Sequence, residues 1–255
     1  MNTEPFEFRG PGGQMLAACL DRPDGEVRAH ALFAHCFTCG KDFVAASRLA
    51  NALAGHGIAT VRIDFTGLGD SEGEFADTNF SSNIADLVAA ADHMRRALQP
   101  PALLIGHSLG GAAVLATAAK IPEVRAVATV AAPSDPAHVT GLFERSADEI
   151  RTSGQARVQL AGRPFVISRQ FLADVAGHNL LRDVATLGRP LLVMHSANDS
   201  VVPIDNATRI FATAEHPKSF VSLGDAGHLL PRNADVIHAA NVIAAWSARY
   251  FDGGD

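Results

Sequence analysis

The sequence predicts a doubly wound α/β domain with a mostly parallel sheet, carrying a small helix–hairpin–helix cap inserted before the penultimate core strand. Three observations carry that prediction. Short, nearly continuous apolar runs recur along the chain, as strands buried on both faces of a parallel sheet do. Longer segments with apolar residues at helical spacing separate them, which is the βαβ pattern. One long stretch, residues 134–188, interrupts this alternation between two core strands, and an insertion of that length reads as a lid over a site.

The elements follow in order. "FEFRG" and "MLAACLD" read as a leading antiparallel hairpin. The strands are "ALFAH" (31–35), "ATVRID" (59–64), "ALLIGH" (102–107), "AVATVAA" (126–132), "PLLVMH" (190–195) and "SFVSL" (219–223). Helices are expected over 44–56, 82–98, 109–121, 204–214 and 234–250. In the second, Ile84, Leu87, Val88, Ala91 and Met94 give one apolar face to lay on the sheet. Within 134–188, a helix is expected around 142–150 and another over 169–187. Between them "ARVQLAGRPFVIS" alternates on both sides of Ala161-Gly162, a hairpin signature. No repeat, low-complexity tract or linker divides the chain, so residues 1–255 read as one domain with the cap inside it.

Composition narrows the function. The 255 residues are 47% apolar, enough for one large buried core. A net charge of −6, with the 21 basic residues scattered, argues against a nucleic-acid partner, because phosphate binding needs clustered Lys and Arg. "MNTEPFEFRG" has neither the basic start nor the apolar stretch of a secretory signal. Three cysteines do not make a disulfide framework, which favours a reducing, cytoplasmic compartment. The charge-free window 102–119 has the length of a membrane span, but "GHSLGG" in its middle suits a strand–turn–helix, so no membrane association is expected.

That turn carries the chemistry. "ALLIGHSLGG" sets Gly106-His107-Ser108-Leu109-Gly110 between a strand and a helix, the G-x-S-x-G nucleophile elbow. The turn is too tight for side chains two positions either side of Ser108, and glycine removes them. The hydroxyl is then presented above a helix N-terminus, whose free N–H groups and dipole favour a developing oxyanion.

A serine hydroxyl needs a base to take its proton. Of eleven histidines, His30, His56, His93, His138, His178, His216 and His238 fall inside helices or polar turns. His107 flanks the serine but points away on an elbow, while His35 and His195 end strands and read as loop pins. His228, in "GDAGH" after the last strand, is favoured by position and chain order, with His195 the next candidate. The partner acid is Asp199, in the loop "MHSANDSVVP". Asp205 reads instead as a first-turn carboxylate of the following helix, and Asp225 as bound to its own turn.

One oxyanion donor is the backbone N–H of Leu109; the second comes from the loop after the third strand, "HCFTCGKD". There the amide of Phe37, or else that of Cys36, faces the substrate oxygen. Its C-x-x-C pair leaves a dithiol redox role as an alternative. A zinc site would need two more close ligands than Cys19 and the scattered histidines offer, so neither metal nor cofactor is expected.

"AHCF", "RIDFTGLGDSEG", "GHSLGG", "HSANDSVVP" and "DAGH", in this order, resemble the α/β-hydrolase superfamily of serine esterases from end to end. "DFTGLGDSEG" is similar to the family's turn after strand four, Asp-x-x-Gly-x-Gly-x-Ser, beside the site. "HCFTCGKD", "DTNFSSNIADL" and "HPKSFVSL" resemble more narrowly the hydrolase half of bacterial proteins fused to an OsmC-like peroxide-reducing domain. Cys36 stands where the family pattern has glycine and narrows the room beside the loop. The resemblance implies a cytoplasmic carboxylesterase acting on a small-molecule ester, with Ser108, His228 and Asp199 as the triad and Phe37 and Leu109 as the oxyanion hole. Two alternatives stand beside it: an auxiliary or vestigial domain acting with an OsmC-like partner, and, from the C-x-x-C spacing, redox chemistry at Cys36 and Cys39. The cap residues Leu142, Phe143, Phe165, Phe171 and Leu172 suit either an apolar acyl or aromatic group or the cap's own core.

Overall fold

A computed structural model describes residues 2–251. Its sheet has eight strands: β1 (Asn2–Arg9), β2 (Met15–Arg22), β3 (Ala29–Ala34), β4 (Ile58–Ile63), β5 (Leu103–His107), β6 (Ala126–Val130), β9 (Leu191–His195) and β10 (Lys218–Ser222). They lie in the order β1-β2-β4-β3-β5-β6-β9-β10, with β1 and β2 antiparallel to their neighbours and the rest parallel. This is the α/β-hydrolase fold anticipated from the sequence.

Strand alternation divides the core into two faces. Leu32, Leu104, Val127 and Val193 pack with α2 (Phe80–Ala97), α3 (Leu109–Thr117) and α7 (Asp205–Thr213). Phe33, Ile105, Ala128 and Met194 pack with α1 (Val44–Ala54) and α8 (Asn233–Ser247). Each buried leucine of this kind stabilises by roughly 1.5–3 kcal/mol relative to exposure. Among the described residues no helix is long and apolar enough to cross a membrane.

Several predicted ends move inward. Strand 126–132 stops at Val130, because Ala131 turns to φ 54°. Helix 109–121 gives way to a 3₁₀ turn at Ala118–Lys120, and helix 234–250 to another at Ala248–Tyr250. His30, read as lying in a helix or turn, sits on β3, which starts two residues earlier than the apolar run suggested.

Between β6 and β9 the chain forms a 3₁₀ segment (Pro136–Ser146), α4 (Ala147–Ser153), β7 (Gln155–Leu160), β8 (Arg163–Ser168), α5 (Arg169–Gly177) and α6 (Leu180–Ala185). The first helix expected there is split: Asp135 caps the 3₁₀ start, and the backbone kinks at Phe143 (φ −136°, ψ 29°) before α4 begins. The second breaks after Gly177, where Asn179 accepts from Arg182 N–H and starts α6. β7 and β8 pair around Ala161 (φ 49°) and Gly162 (φ 78°), a two-residue loop with both φ positive, as primed hairpin turns require. Val158, Leu160 and Ile167 of this hairpin are buried, with β7 lying against the 3₁₀ segment and α4, and β8 against residues 75–77. Polar contacts secure the segment to residues 76–81: Ser168 donates to the Ala76 carbonyl (2.7 Å), Gln170 to that of Thr78 (2.8 Å), and Ser81 to Asp174 (2.5 Å).

The loop after β3 and the turn after β4 are joined through Asp64, whose side chain is fully buried. One carboxylate oxygen accepts the Lys41 N–H (2.5 Å); the other accepts Lys41 Nζ (3.0 Å) and the Asp70 N–H (2.9 Å). A Cβ at Gly69, where φ is 57°, would lie 2.1 Å from Asp64 Oδ2, so this turn closes around the carboxylate only with glycine there. Arg62, paired with Asp21 at 2.7 Å, donates to the Lys41 carbonyl and fixes the same loop from β4. Asp86 of α2 holds the next residues, accepting the Thr66 N–H (2.9 Å) and hydroxyl (3.0 Å).

Two outcomes follow from these buried charges. Asp64→Asn removes the negative partner of a buried ammonium, although Lys41 keeps exposed Asp70 and Asp42. It is expected to cost about 3 kcal/mol, read as a drop of roughly 6–12 °C in Tm for a chain of this size. Burial pushes the Asp86 carboxyl up to about 6 against its bonds from Thr66. The folded protein therefore holds that proton more tightly than the unfolded chain, and the stability so gained is full below about pH 4 and lost as pH rises to about 6. Asp86→Asn keeps an acceptor for Thr66 without the charge, so its Tm relative to wild type should climb between pH 4 and pH 6 and level off above. A difference flat with pH would contradict the assignment.

Candidate active site

The predicted site residues come from four loops at the carboxyl edge of the sheet. Ser108 follows β5 and starts α3 with φ 54°, a strained backbone for a residue with a side chain. Its N–H is held by the Val130 carbonyl (2.9 Å). The glycines around it are required by space: a Cβ at Gly106 would meet the Gly110 carbonyl at 2.3 Å, and one at Gly110 would meet the carbonyls of Ala34 and His35 at 2.3 and 2.4 Å. Gly110 thus lets the elbow sit directly on the backbone that leads into the loop after β3.

His228, beyond β10, accepts the Ser108 hydroxyl at Nε2 (2.9 Å) and donates from Nδ1 to Asp199 Oδ2 (2.7 Å). The other oxygen of Asp199 accepts the N–H groups of Val201 and Val202, each at 2.9 Å. Burial works to raise its carboxyl, but the His228 hydrogen bond and these two amides prevail and hold it below the usual carboxylate range. Since a carboxylate only accepts, Nδ1 carries the proton and the Nε2 lone pair faces the serine.

The remaining histidines near the site hold backbone. His195, fully buried, donates to the Val202 carbonyl (2.7 Å) and so shapes the loop that carries Asp199; burial lowers its pKa. His35 donates to the Cys36 carbonyl (2.8 Å). His107 donates to the carbonyl of His228 itself (2.7 Å), with the rings 5.2 Å apart. Burial, aided by His228, pushes its pKa down to about 4, which keeps His107 neutral as a support beneath His228. Sequence position offered no signal for that support, because the two histidines are far apart in the chain. Asp205 is a first-turn carboxylate of α7, and Asp225 pairs with Arg232 (2.6 Å).

The loop after β3 contains a turn in which the Cys39 N–H donates to the Cys36 carbonyl (3.1 Å). Thr38, the third residue of that turn, has φ 61°, as in type II turns. For a β-branched residue this costs about 1–2 kcal/mol, so the turn needs external support. Phe37, at the second position, keeps its N–H outside the turn's own hydrogen bond. A disulfide joins Cys36 and Cys39 across the turn, with Cα atoms 5.3 Å apart, where the sequence reading favoured a reducing compartment. Adjacency explains it: residues first and fourth in a turn are brought to bonding distance whatever the total cysteine count. Cys19 remains a thiol, pushed up to about 12 by burial.

Phe37 also opens an aromatic cluster. Its ring lies 5.6 Å from Phe75, 6.4 Å from Phe143 and 5.4 Å from Phe171, and Phe165 lies 4.9 Å from Phe75. Phe143 and Phe171 are buried, Phe165 and Leu172 half-buried, and Leu142 is exposed. The inserted segment therefore presents aromatic surface beside the loop that carries Phe37. The arrangement can activate a hydroxyl by proton removal, beside backbone N–H groups at a helix N-terminus and an apolar surface.

Comparison with known proteins agrees with this fold. The model of the alpha/beta hydrolase family matches residues 31–240. The esterase domain of a Rhodothermus marinus protein is 47% identical, covering 98% of this chain and 100% of that one, with a TM-score of 0.81. Est1E from Butyrivibrio proteoclasticus, solved with ferulic acid bound, shares the fold at 17% identity, over 97% and 100% of the two chains, with a TM-score of 0.79. The mitochondrial palmitoyl-protein thioesterase ABHD10 of Mus musculus is 27% identical over 188 residues, which are 71% of this chain and 62% of the mouse protein. The chain thus spans under two thirds of the length of that relative. With the family's pattern matched over most of its length and its sheet superposing on solved members, this chain belongs to the alpha/beta hydrolase family.

Proposed function

We propose that the protein is a serine carboxylesterase that cleaves small to medium acyl esters through an acyl-enzyme. The observation that carries the reading is the unbroken hydrogen-bond chain from Asp199 through His228 to Ser108, at the N-terminus of α3. In this mechanism Ser108 Oγ attacks the ester carbonyl carbon while its proton passes to His228 Nε2. Asp199 stabilises the resulting imidazolium and holds its tautomer. The carbonyl oxygen becomes an oxyanion facing the N–H groups of Phe37 and Leu109. Collapse expels the alkoxide, which takes the proton from His228, and leaves the acyl group on Ser108. Water, deprotonated by the same imidazole, then attacks and releases the acid. The half-buried phenylalanines beside Phe37 favour an apolar or aromatic group on the substrate. The mouse thioesterase brings a second leaving group into the same scheme, since a thiolate departs from the same tetrahedral intermediate.

A chain-length series of aryl esters, each paired with its thioester, measures the substrate range directly. Ser108→Ala and His228→Ala are each expected to lower kcat by on the order of 10³ or more, with the double variant little worse, because the two act as one unit. A His228→Ala enzyme keeping above about a tenth of wild-type kcat would move the base elsewhere.

The donor role of Phe37 is separable from its ring. Proline is accepted at the second position of such turns, so Phe37→Pro deletes the N–H while leaving the turn intact. It is expected to lower kcat by about 10²–10³, whereas Phe37→Ala keeps the amide and should affect mainly KM. Equal kcat losses in the two variants, with unchanged melts, would assign the effect to the ring.

A further inference from the structure

The inserted segment reaches the loop after β3 through one charged side chain. Arg163, the first residue of β8, donates from Nη2 to the carbonyl of Thr38. Its guanidinium carbon lies 5.3 Å from the ring centroid of Phe165, two residues on in the same strand. Phe165 packs on Phe75, and Phe75 on Phe37. The hairpin thus touches the turn twice, at the Thr38 backbone and, through two rings, at Phe37.

The contact falls on a peptide that matters. The Thr38 carbonyl belongs to the same peptide as the Cys39 N–H, and that N–H closes the turn onto the Cys36 carbonyl. A cationic donor at one end of a peptide strengthens the hydrogen bond donated from the other. The Cys36 carbonyl also accepts from His35 Nδ1, so a line of hydrogen bonds converges on it from both sides of Phe37. Thr38 is the residue at φ 61°, which needs such support.

We propose that Arg163 is a positioning residue for the oxyanion hole: by holding the Thr38 carbonyl it fixes the direction of the Phe37 N–H, so that catalytic competence depends on the hairpin being seated. The inference rests on Phe37 being a donor in the proposed esterase. Arg163 is exposed, so its removal strands no buried charge and the fold is expected to be retained, while the carbonyl of buried Thr38 loses its cationic donor. The effect falls on the transition state, where the oxyanion forms, rather than on substrate binding.

The test uses the full chain with Arg163→Ala, Arg163→Lys and, as control, Ser108→Ala. Measured for each are kcat and KM on an aryl ester, Tm, and affinity for an aryl boronic acid, whose serine adduct places an oxygen where the oxyanion forms. Misdirecting one donor costs less than the 10²–10³ of deleting it, so Arg163→Ala should lower kcat by about tenfold. KM should stay within roughly twofold, Tm within about 2 °C, and the boronic acid should weaken by a similar tenfold factor. Arg163→Lys, which keeps a cationic donor, should recover part of both losses. A kcat within about twofold of wild type in Arg163→Ala, or a lower kcat with boronic acid affinity unchanged, overturns the inference. Should Arg163→Ala melt well below wild type, Arg163→Met, which keeps the aliphatic stem but has no donor, decides in its place: reduced kcat and boronate affinity at wild-type Tm support the role, and wild-type values of both refute it. Turnover by Ser108→Ala at the wild-type rate would instead remove the esterase reading beneath.

Discussion

A buried carboxylate, Asp64, ties the loop after β3, the strand beside the one that leads to the nucleophile, to the turn after β4. It accepts from the backbone and ammonium of Lys41 on one side and from the amide of Asp70 on the other. A charge in such a place is tolerable only when every lone pair finds a donor, and here the donors come from two different loops. The carboxylate consequently fixes the loop after β3 relative to the turn after β4, which no apolar contact of the same size could do directionally. Lys41 feels burial, which opposes its charge, but the hydrogen bonds to Asp70, Asp64 and Asp42 outweigh it and hold the ammonium firmly protonated.

Strain accumulates at the site that this anchor supports. Ser108 and Thr38 both sit at positive φ with side chains attached, and each stands within a few residues of a proposed oxyanion donor. Such backbones persist only where their surroundings over-determine them. Ser108 is held by β6 and by the contact of Gly110 with the carbonyls of Ala34 and His35. That contact also sets the separation of the two proposed donors, because Leu109 lies next to Gly110 and Phe37 lies two residues past His35. Thr38 is held by the turn hydrogen bond, the Cys36–Cys39 disulfide and the guanidinium of Arg163.

The inserted segment is where sequence reading and structure diverge most. Periodicity expected two helices of moderate length, yet Asp135, Phe143 and Asn179 redirect the chain into shorter pieces. Local capping and a single kink outweigh weak helical propensity in short elements. The hairpin register was legible, because alternation around Ala161-Gly162 is a local pattern. Its burial was not, because whether Val158 and Ile167 face water depends on how the 3₁₀ segment, α4 and residues 75–77 close against them.

By itself the sequence determined the parallel sheet, its flanking helices and the elbow at Ser108, because period-3.6 and continuous apolar patterns report burial directly and tight turns demand glycine at fixed offsets. It also pointed to His228 and Asp199 by their order along the chain and their place after strands at one sheet edge. Only the tertiary structure decided what holds them: His107 under the His228 carbonyl, His195 behind the Asp199 loop, Asp64 between two turns, and Arg163 across to Thr38. Each joins residues whose partners are set by how loops meet at the sheet edge. A polar side chain satisfied by a distant backbone group leaves no periodic trace in the sequence, since its constraint is a direction in space rather than a spacing along the chain.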